Sequence, residues 1–158
     1  MEAGMNEAIR SALPPSSIDA ERSVLGAMMQ DSGAASLAFE NLAPEDFYSA
    51  EHKEIFQAMR DLHIAGNPID LMTTGNELTR RGTFDSIGGA AYLLQVVRFV
   101  PTTANTRTYI QIVLEKSTLR RLISASQQIQ QQCYAQSDQL TDVLHNAERL
   151  IFDIVMKR

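Results

Sequence analysis

The sequence lacks the features that mark secreted, membrane-spanning or metal-cluster proteins. Among its 158 residues there is no tryptophan and a single cysteine, Cys133, so the chain cannot form an internal disulfide and no cysteine metal cluster is indicated. No apolar run approaches the about 20 residues that a membrane-spanning helix needs. Residues 1–13 lack the basic start and apolar middle of a signal peptide, and we expect a flexible leader there. These absences predict a cytoplasmic protein without a membrane segment.

Motifs that carry catalysis are absent as well. The chain contains no GxxxxGK[ST] phosphate loop, no GxSxG and no HExxH. His52, His63 and His145 are not spaced as metal ligands, and we interpret His52 as a structural residue that hydrogen-bonds the segment before its helix. The acid pair Glu45 and Asp46 is interpreted as helix-start charge rather than as a general acid and base. The sequence therefore predicts no catalytic residue, no metal site and no cofactor within this chain.

The balance of charge argues against tight binding of nucleic acid by this domain alone. The formal net charge is −5 and the isoelectric point is about 5.1, whereas a domain that grips a phosphate backbone needs a basic face. Lysine and arginine are scattered along the chain. Seven methionines suit irregular gaps between helices and adaptable contact surfaces.

Signals for short helices fill the first two thirds of the chain. Cap-forming residues or prolines stand at the predicted starts, and glycine or proline follows several predicted ends. Ser49 is expected to cap the third helix and Asp70 the fourth, with Thr74-x-x-Glu77 as an alternative capping box inside it. We expect residues 14–102 to form a globular bundle of about five or six helices. The clearest predicted helices cover residues 18–30, 34–41, 49–65, 70–81 and 90–100.

Two longer helices are predicted after this bundle. Between about residues 105 and 135 there is neither glycine nor proline, and apolar side chains recur at spacings of three and four. About 30 residues at a rise of 1.5 Å make a helix about 45 Å long. A break at residues 136–138 leads to a second amphipathic helix, which Asp138 is expected to cap. Residues 103–158 are therefore expected to form a long antiparallel helical hairpin, with Cys133 buried on its apolar stripe.

The apolar stripe of this hairpin permits two arrangements. Two wide-striped helices expose more apolar surface than they cover by pairing with each other, so the excess can meet a second copy of the chain. Alternatively, the hairpin folds back onto residues 18–100 and buries its stripe within one chain. Periodicity alone does not distinguish self-association from this second arrangement.

Seven short segments together carry a specific pattern that none of them carries alone. They are PSSIDAERSVLG at 15–26, PEDFYSAEHKEIF at 44–56, GNPIDLMT at 66–73, IGGAAYL at 87–93, PTTAN at 101–105, YIQIVLEK at 109–116 and LRRLI at 119–123. In order and spacing, over roughly residues 14–156, they closely resemble the N-terminal domain of the DnaB-type bacterial replicative DNA helicase. Gly75, inside a predicted helix, is a small departure that weakens that helix by up to about 1 kcal/mol.

This resemblance implies a collar domain of a ring-shaped hexamer that is arranged as a trimer of dimers. The parent helicase would unwind DNA during replication, with ATP and Mg²⁺ bound in a motor domain beyond Arg158. The last helix stays amphipathic to its end without a capping residue, and we expect the chain to be a piece of such a longer protein. Primase is the implied partner of the collar, and a helicase loader is a further candidate. The alternative is a freestanding collar-like regulator or loader that acts on a helicase in trans.

Two sets of residues are predicted to make these contacts. Self-association is expected along the hairpin stripe at Ile112, Leu119, Leu122, Ile123, Ile129, Leu144, Leu150, Ile151 and Ile154. With the resemblance, primase binding is expected at Asp19 and Tyr92 on the globular part and at Ile123, Ile129 and Tyr134 on the hairpin.

Overall fold

The computed structural model describes residues 12–157 and, before them, Gly4, Glu7 and Ile9. Within this part of the chain the fold is all-α, as predicted, with no β-strand and one 3₁₀ turn at Pro44–Asp46. The α-helices are α1 (Ile18–Gln30), α2 (Ser32–Asn41), α3 (Ala50–Ile64), α4 (Leu71–Arg80), α5 (Gly89–Phe99), α6 (Thr106–Ala135) and α7 (Leu140–Lys157).

The chain divides into two compact units. Residues 17–118 form the globular unit, which holds α1 to α5 and the beginning of α6. The hairpin unit contains the rest of α6 and all of α7, together with the described residues before residue 17. The 30 residues of α6 form one uninterrupted helix, because no glycine or proline interrupts them.

Side-chain caps fix the starts of the first three helices. The Ser17 hydroxyl accepts a hydrogen bond from the Ala20 N–H at 3.2 Å at the start of α1. The Asp31 carboxylate caps α2 through the Ala34 N–H at 3.0 Å, so α2 begins two residues earlier than predicted. Ser49 caps α3, as predicted. Each cap satisfies a backbone donor that the first turn of a helix leaves without a partner.

The start of α4 corrects one prediction. Asp70 is its cap, as predicted, and Thr73 completes a capping box: the Thr73 N–H donates to Asp70 Oδ1, and the Asp70 N–H donates to Thr73 Oγ1, both at 2.9 Å. The alternative box of Thr74 and Glu77 does not form, because Thr74 lies fully buried inside the helix. A helix that already starts at Asp70 has no free first-turn amides left for a second box.

The core of the globular unit lies around α1 and α3. Its fully buried side chains include Val24, Leu25, Met28, Phe47, Ile55, Phe56, Met59, Leu78, Leu93, Val96 and Ile110. Ile110 and Val113 bring the beginning of α6 into this core. Asp46, predicted only as helix-start charge, is also buried and accepts from the Ala43 N–H at 2.8 Å and the Ser117 hydroxyl at 2.7 Å. This carboxylate therefore ties α6 to the 3₁₀ turn.

The hairpin unit pairs the rest of α6 with α7 through a narrow seam. Ala125 and Ile154 are buried, and the Asn146 side-chain amide donates to Gln132 Oε1 at 2.9 Å. Cys133 is exposed, so the prediction that it is buried was wrong: it lies on α6 away from the seam. Asp138 does not take the predicted cap position, because α7 starts at Leu140 and the Asp138 carboxylate accepts from Gln132 instead, at 2.9 Å.

Candidate functional site

The hairpin unit exposes many large apolar side chains. On α6 and α7 they are Leu119, Leu122, Ile123, Tyr134, Leu140, Leu144, Ile151, Phe152, Val155 and Met156. Tyr134 is 84% exposed and Leu140 is 71% exposed, whereas Leu122, the least exposed of the set, is 37% exposed. An apolar surface of this extent is typical of a site where another protein binds.

The two sides of α7 differ in what they contact. Leu150 and Ile154 line a crevice with Ala125 and Gln128 of α6, so this side faces its partner helix. The second side is apolar as well, although α6 does not cover it. Its members, spaced so that they share one side of the helix, are Leu140, Leu144, Ile151 and Val155.

The residues predicted for self-association fall into three groups. Exposed and available for contact are Leu119, Leu122, Ile123, Leu144 and Ile151. Half-buried are Ile112, Ile129 and Leu150, and Ile112 packs against the core of the globular unit. Ile154 is only 9% exposed because it lies in the seam between α6 and α7. A partner can therefore reach the first group most directly.

A second surface lies on the globular unit around Tyr92. The Arg22 side chain connects the two predicted residues of this surface: its Nε lies 3.4 Å from the Tyr92 hydroxyl, and its Nη1 lies 3.4 Å from Asp19 Oδ1. Its guanidinium also lies 5.7 Å from the centre of the Phe99 ring, within the range of a cation–π interaction. The structure thus brings Asp19 and Tyr92 to one place on the globular unit.

Beneath Tyr92 lies a buried polar chain. Glu21 and His52 are each 1% exposed, and Glu21 Oε1 lies 2.7 Å from His52 Nδ1. His52 Nε2 lies 2.5 Å from the Tyr92 hydroxyl. The Glu21 carboxylate also accepts from the backbone N–H groups of Tyr48 at 2.8 Å and Ser49 at 3.3 Å. Buried polar groups that find partners in this way hold their surroundings in one arrangement.

Sequence reasoning found only part of this site. His52 was expected to bond the segment just before its own helix, but its ring instead joins α1 to α5. The burial of Glu21, one of the two acids in the first turn of α1, was not predicted. The signal available was the position of Glu21 three residues before Val24 and four before Leu25, on the side of α1 that carries the core residues.

The other predicted primase-binding residues belong to the hairpin unit. Ile123 and Tyr134 are exposed and Ile129 is half-buried. Among the residues that the structure describes, no group of His, Cys, Asp or Glu side chains is placed to hold a metal ion. Over the same residues, no helix is both long and apolar enough to cross a membrane.

Comparison with known proteins agrees with the resemblance seen in the sequence. Residues 13–115 match the family described as the DnaB-like helicase N-terminal domain. The chain is 40% identical over 154 residues to the replicative DNA helicase DnaC of Bacillus subtilis, and 42% identical over 154 residues to the replicative DNA helicase DnaB of Geobacillus stearothermophilus. Each alignment covers 98% of this chain and 34% of the relative, so the chain spans about a third of the length of these curated relatives.

Two solved structures share the fold. The N-terminal domain of DnaB helicase from Mycobacterium tuberculosis aligns with a TM-score of 0.84 and 40% identity, over 89% of this chain and 99% of that one. A DnaB-like replicative helicase, solved together with its interactions with primase, aligns with a TM-score of 0.70 and 26% identity, over 87% of this chain and 31% of that one. This chain therefore belongs to the family of DnaB-like helicase N-terminal domains.

Proposed function

We propose that this chain is the collar domain of a replicative DNA helicase, where it joins subunits to one another and docks primase. The observation that supports this function best is the exposed apolar surface of the hairpin unit in a member of this family. The domain acts by binding proteins, and its two surfaces supply the contacts.

Self-association uses the exposed stripe of the hairpin unit. In a two-fold dimer every contact occurs twice, so the exposed portions of Leu119, Leu122, Ile123, Leu144 and Ile151 would be buried in both copies. That burial contributes about 7–13 kcal/mol. The cost of association is about 4–15 kcal/mol, so burial of the stripe is of the size needed to offset that cost. Three such dimers would complete the collar of a hexamer.

Primase docking uses residues of both units. Tyr134 offers an aromatic side chain that is 84% exposed, and an exposed tyrosine combines apolar area with a polar tip. Asp19 and Tyr92 add polar contacts on the globular unit. The primase interaction of the relative with the 0.70 TM-score supports this partner. A helicase loader is a further candidate for the same exposed surfaces.

The activity of the whole protein lies outside this chain. The parent would unwind DNA in the bacterial cytoplasm, with ATP and Mg²⁺ bound by a motor domain that this chain does not include. Replicative helicases that are about three times as long as this chain support this assignment. The part played by this chain is to hold the ring together and to bring primase to it.

Calorimetric titration with the purified helicase-binding domain of primase tests the docking function. The wild-type chain should bind the primase domain, and its dimerisation should determine how many primase domains bind per chain. Tyr134→Asp should weaken binding at least tenfold, because it places a charge on the proposed contact surface. Met72→Asp is the matched control, since Met72 is 74% exposed on the globular unit and is not one of the predicted contact residues. Absence of binding by the wild-type chain would refute primase docking, and equal losses in both variants would refute the proposed location.

A further inference from the structure

The Tyr92 hydroxyl stands at the end of a hydrogen-bonded chain that fixes what it can offer to a partner. It opens onto a shallow cleft of about 340 Å³ on the globular unit. Residues that line this cleft include Arg22, Ser49, Glu51, His52, Ser86 and Tyr92. The inner end of this hydrogen-bonded series is the Glu21 carboxylate, which is buried together with His52.

The direction of the hydrogen bonds between Glu21, His52 and Tyr92 follows from the Glu21 carboxylate. Both Glu21 oxygens accept backbone N–H bonds, from Tyr48 and Ser49, as an ionised carboxylate does. A carboxylate only accepts, so His52 Nδ1, which is 2.7 Å from Glu21, must carry an N–H. In the neutral form of the ring, His52 Nε2 is an acceptor, and the Tyr92 O–H donates to it over 2.5 Å.

This direction leaves the Tyr92 oxygen with lone pairs only on its outer side. With the neutral ring its proton points to His52 Nε2, 2.5 Å away, so toward the cleft the hydroxyl accepts hydrogen bonds and does not donate them. Arg22 Nε lies 3.4 Å away, at the long limit of a hydrogen bond. A shorter donor from a partner can therefore take the remaining acceptor position.

The charges around the cleft also favour a hydrogen-bond donor from a partner. The Arg22 guanidinium pairs with Asp19 at 3.4 Å, which offsets its positive charge. Glu51 lines the cleft, and hydrogen bonds from the backbone at the start of α3 and from the Ser49 hydroxyl hold the pKa of Glu51 below its usual range. An acceptor oxygen and an ionised carboxylate in the same cleft together attract a cationic donor.

We propose that Glu21 and His52 position the Tyr92 hydroxyl as a hydrogen-bond acceptor, and that this cleft receives a lysine or arginine side chain of primase. Glu21 and His52 are positioning residues, since they act through Tyr92. The identity of the partner rests on the proposed function, whereas the direction of the hydrogen bonds belongs to this chain alone. The two parts therefore have separate tests.

The first test locates the imidazole proton in the free chain. The chain has three histidines, so ¹⁵N-histidine labelling gives a short set of ring signals, and the His52→Gln variant assigns those of His52. The expected result is a proton on Nδ1 and an unprotonated Nε2. A proton on Nε2 overturns the inference, whether or not primase binds.

The second test separates positioning from general structural support. His52→Gln supplies an oxygen acceptor near the place of Nε2, whereas His52→Asn supplies an N–H near the place of Nδ1 and leaves Tyr92 without its partner. Both variants remove the same buried ring, so thermal melting shows their common structural cost. Primase affinity should stay within about threefold of wild type for His52→Gln and fall about tenfold for His52→Asn. Equal affinities for the two variants contradict the positioning role.

A double-mutant cycle identifies the group that the cleft receives. Tyr92→Phe removes the acceptor and should weaken primase binding about tenfold, and His52→Asn should add no further loss to it. Replacing one lysine or arginine of the primase domain should weaken its binding to the wild-type chain. The same replacement should cause no further loss of affinity when this chain already carries Tyr92→Phe. If no basic residue couples to Tyr92, or if Tyr92→Phe binds as well as wild type, the inference fails. If wild-type chain does not bind primase at all, the proposed function is refuted, while the location of the His52 proton still decides the first part.

Discussion

Gly26→Ala should destabilise the globular unit because the backbone of α5 lies close against α1 at this glycine. A Cβ at position 26 would lie 2.4 Å from the Val96 carbonyl oxygen and 3.2 Å from Val100 Cγ2. The nearest atom belongs to the backbone, so relief requires α5 to shift as a whole. Overpacking of this kind costs up to about 3 kcal/mol. Alanine recovers about 1 kcal/mol of helix propensity, which leaves a net loss of about 2 kcal/mol.

Gly75→Ala is the matched control within a helix of the same unit. Its Cβ would lie 3.6 Å from Phe84 Cε2 and 3.8 Å from Leu93 Cδ1, which is ordinary van der Waals contact. Only the gain in helix propensity remains, so this variant should be stabilised by up to about 1 kcal/mol. The same chemical change should thus have opposite signs at the two positions.

Urea denaturation at one fixed, low protein concentration measures both variants. With a slope of about 2 kcal/mol per molar urea, the Gly26→Ala midpoint should fall by about 1 M at an unchanged slope. A Gly26→Ala chain as stable as wild type would refute the close approach of α1 and α5. Destabilisation of both variants would show that glycine is needed for a reason other than space.

Three further predictions concern other parts of the chain. Ile123→Asp should weaken self-association at least tenfold in sedimentation equilibrium, because it charges the exposed stripe, whereas Met72→Asp should not; equal effects would move the interface elsewhere. Thr74→Val should keep or raise the free energy of unfolding, because the buried Thr74 hydroxyl has no hydrogen-bond partner among the residues that the structure describes. A loss above about 1 kcal/mol would reveal a hidden partner. Glu54→Gln should destabilise the fold at pH 7, since a hydrogen bond from Arg81 holds the pKa of Glu54 below its usual value of 4.5. A lowered pKa stabilises the fold at pH values above the pKa of the unfolded chain, so the loss should shrink as the pH of the denaturation is lowered below about 4. A loss independent of pH would contradict this pairing.

Features governed by local chemistry were predicted well from the sequence. Ser49 and Asp70 were identified as caps because a cap acts on amides within its own first turn. The 30-residue length of α6 followed from the absence of glycine and proline. Two local solutions were predicted at the start of α4, a cap by Asp70 and a box of Thr74 and Glu77, and the structure has the Asp70 cap.

Features governed by distant contacts were not predictable in the same way. His52 finds partners 31 residues away in Glu21 and 40 residues away in Tyr92, and no periodicity reports such a pairing. Cys133 lies on the apolar stripe, but periodicity does not show which part of a stripe a neighbouring helix covers. The same limit applies to the predicted interface, where Ile154 fills the seam and Ile151 stays exposed.

Sedimentation velocity of the wild-type chain over a wide range of concentrations tests the central claim most directly. If the exposed hairpin stripe pairs copies of the chain, the weight-average mass should rise with concentration to at least twice the 17.5 kDa of one chain. A single species of 17.5 kDa that persists at the highest concentrations would contradict self-association through the hairpin.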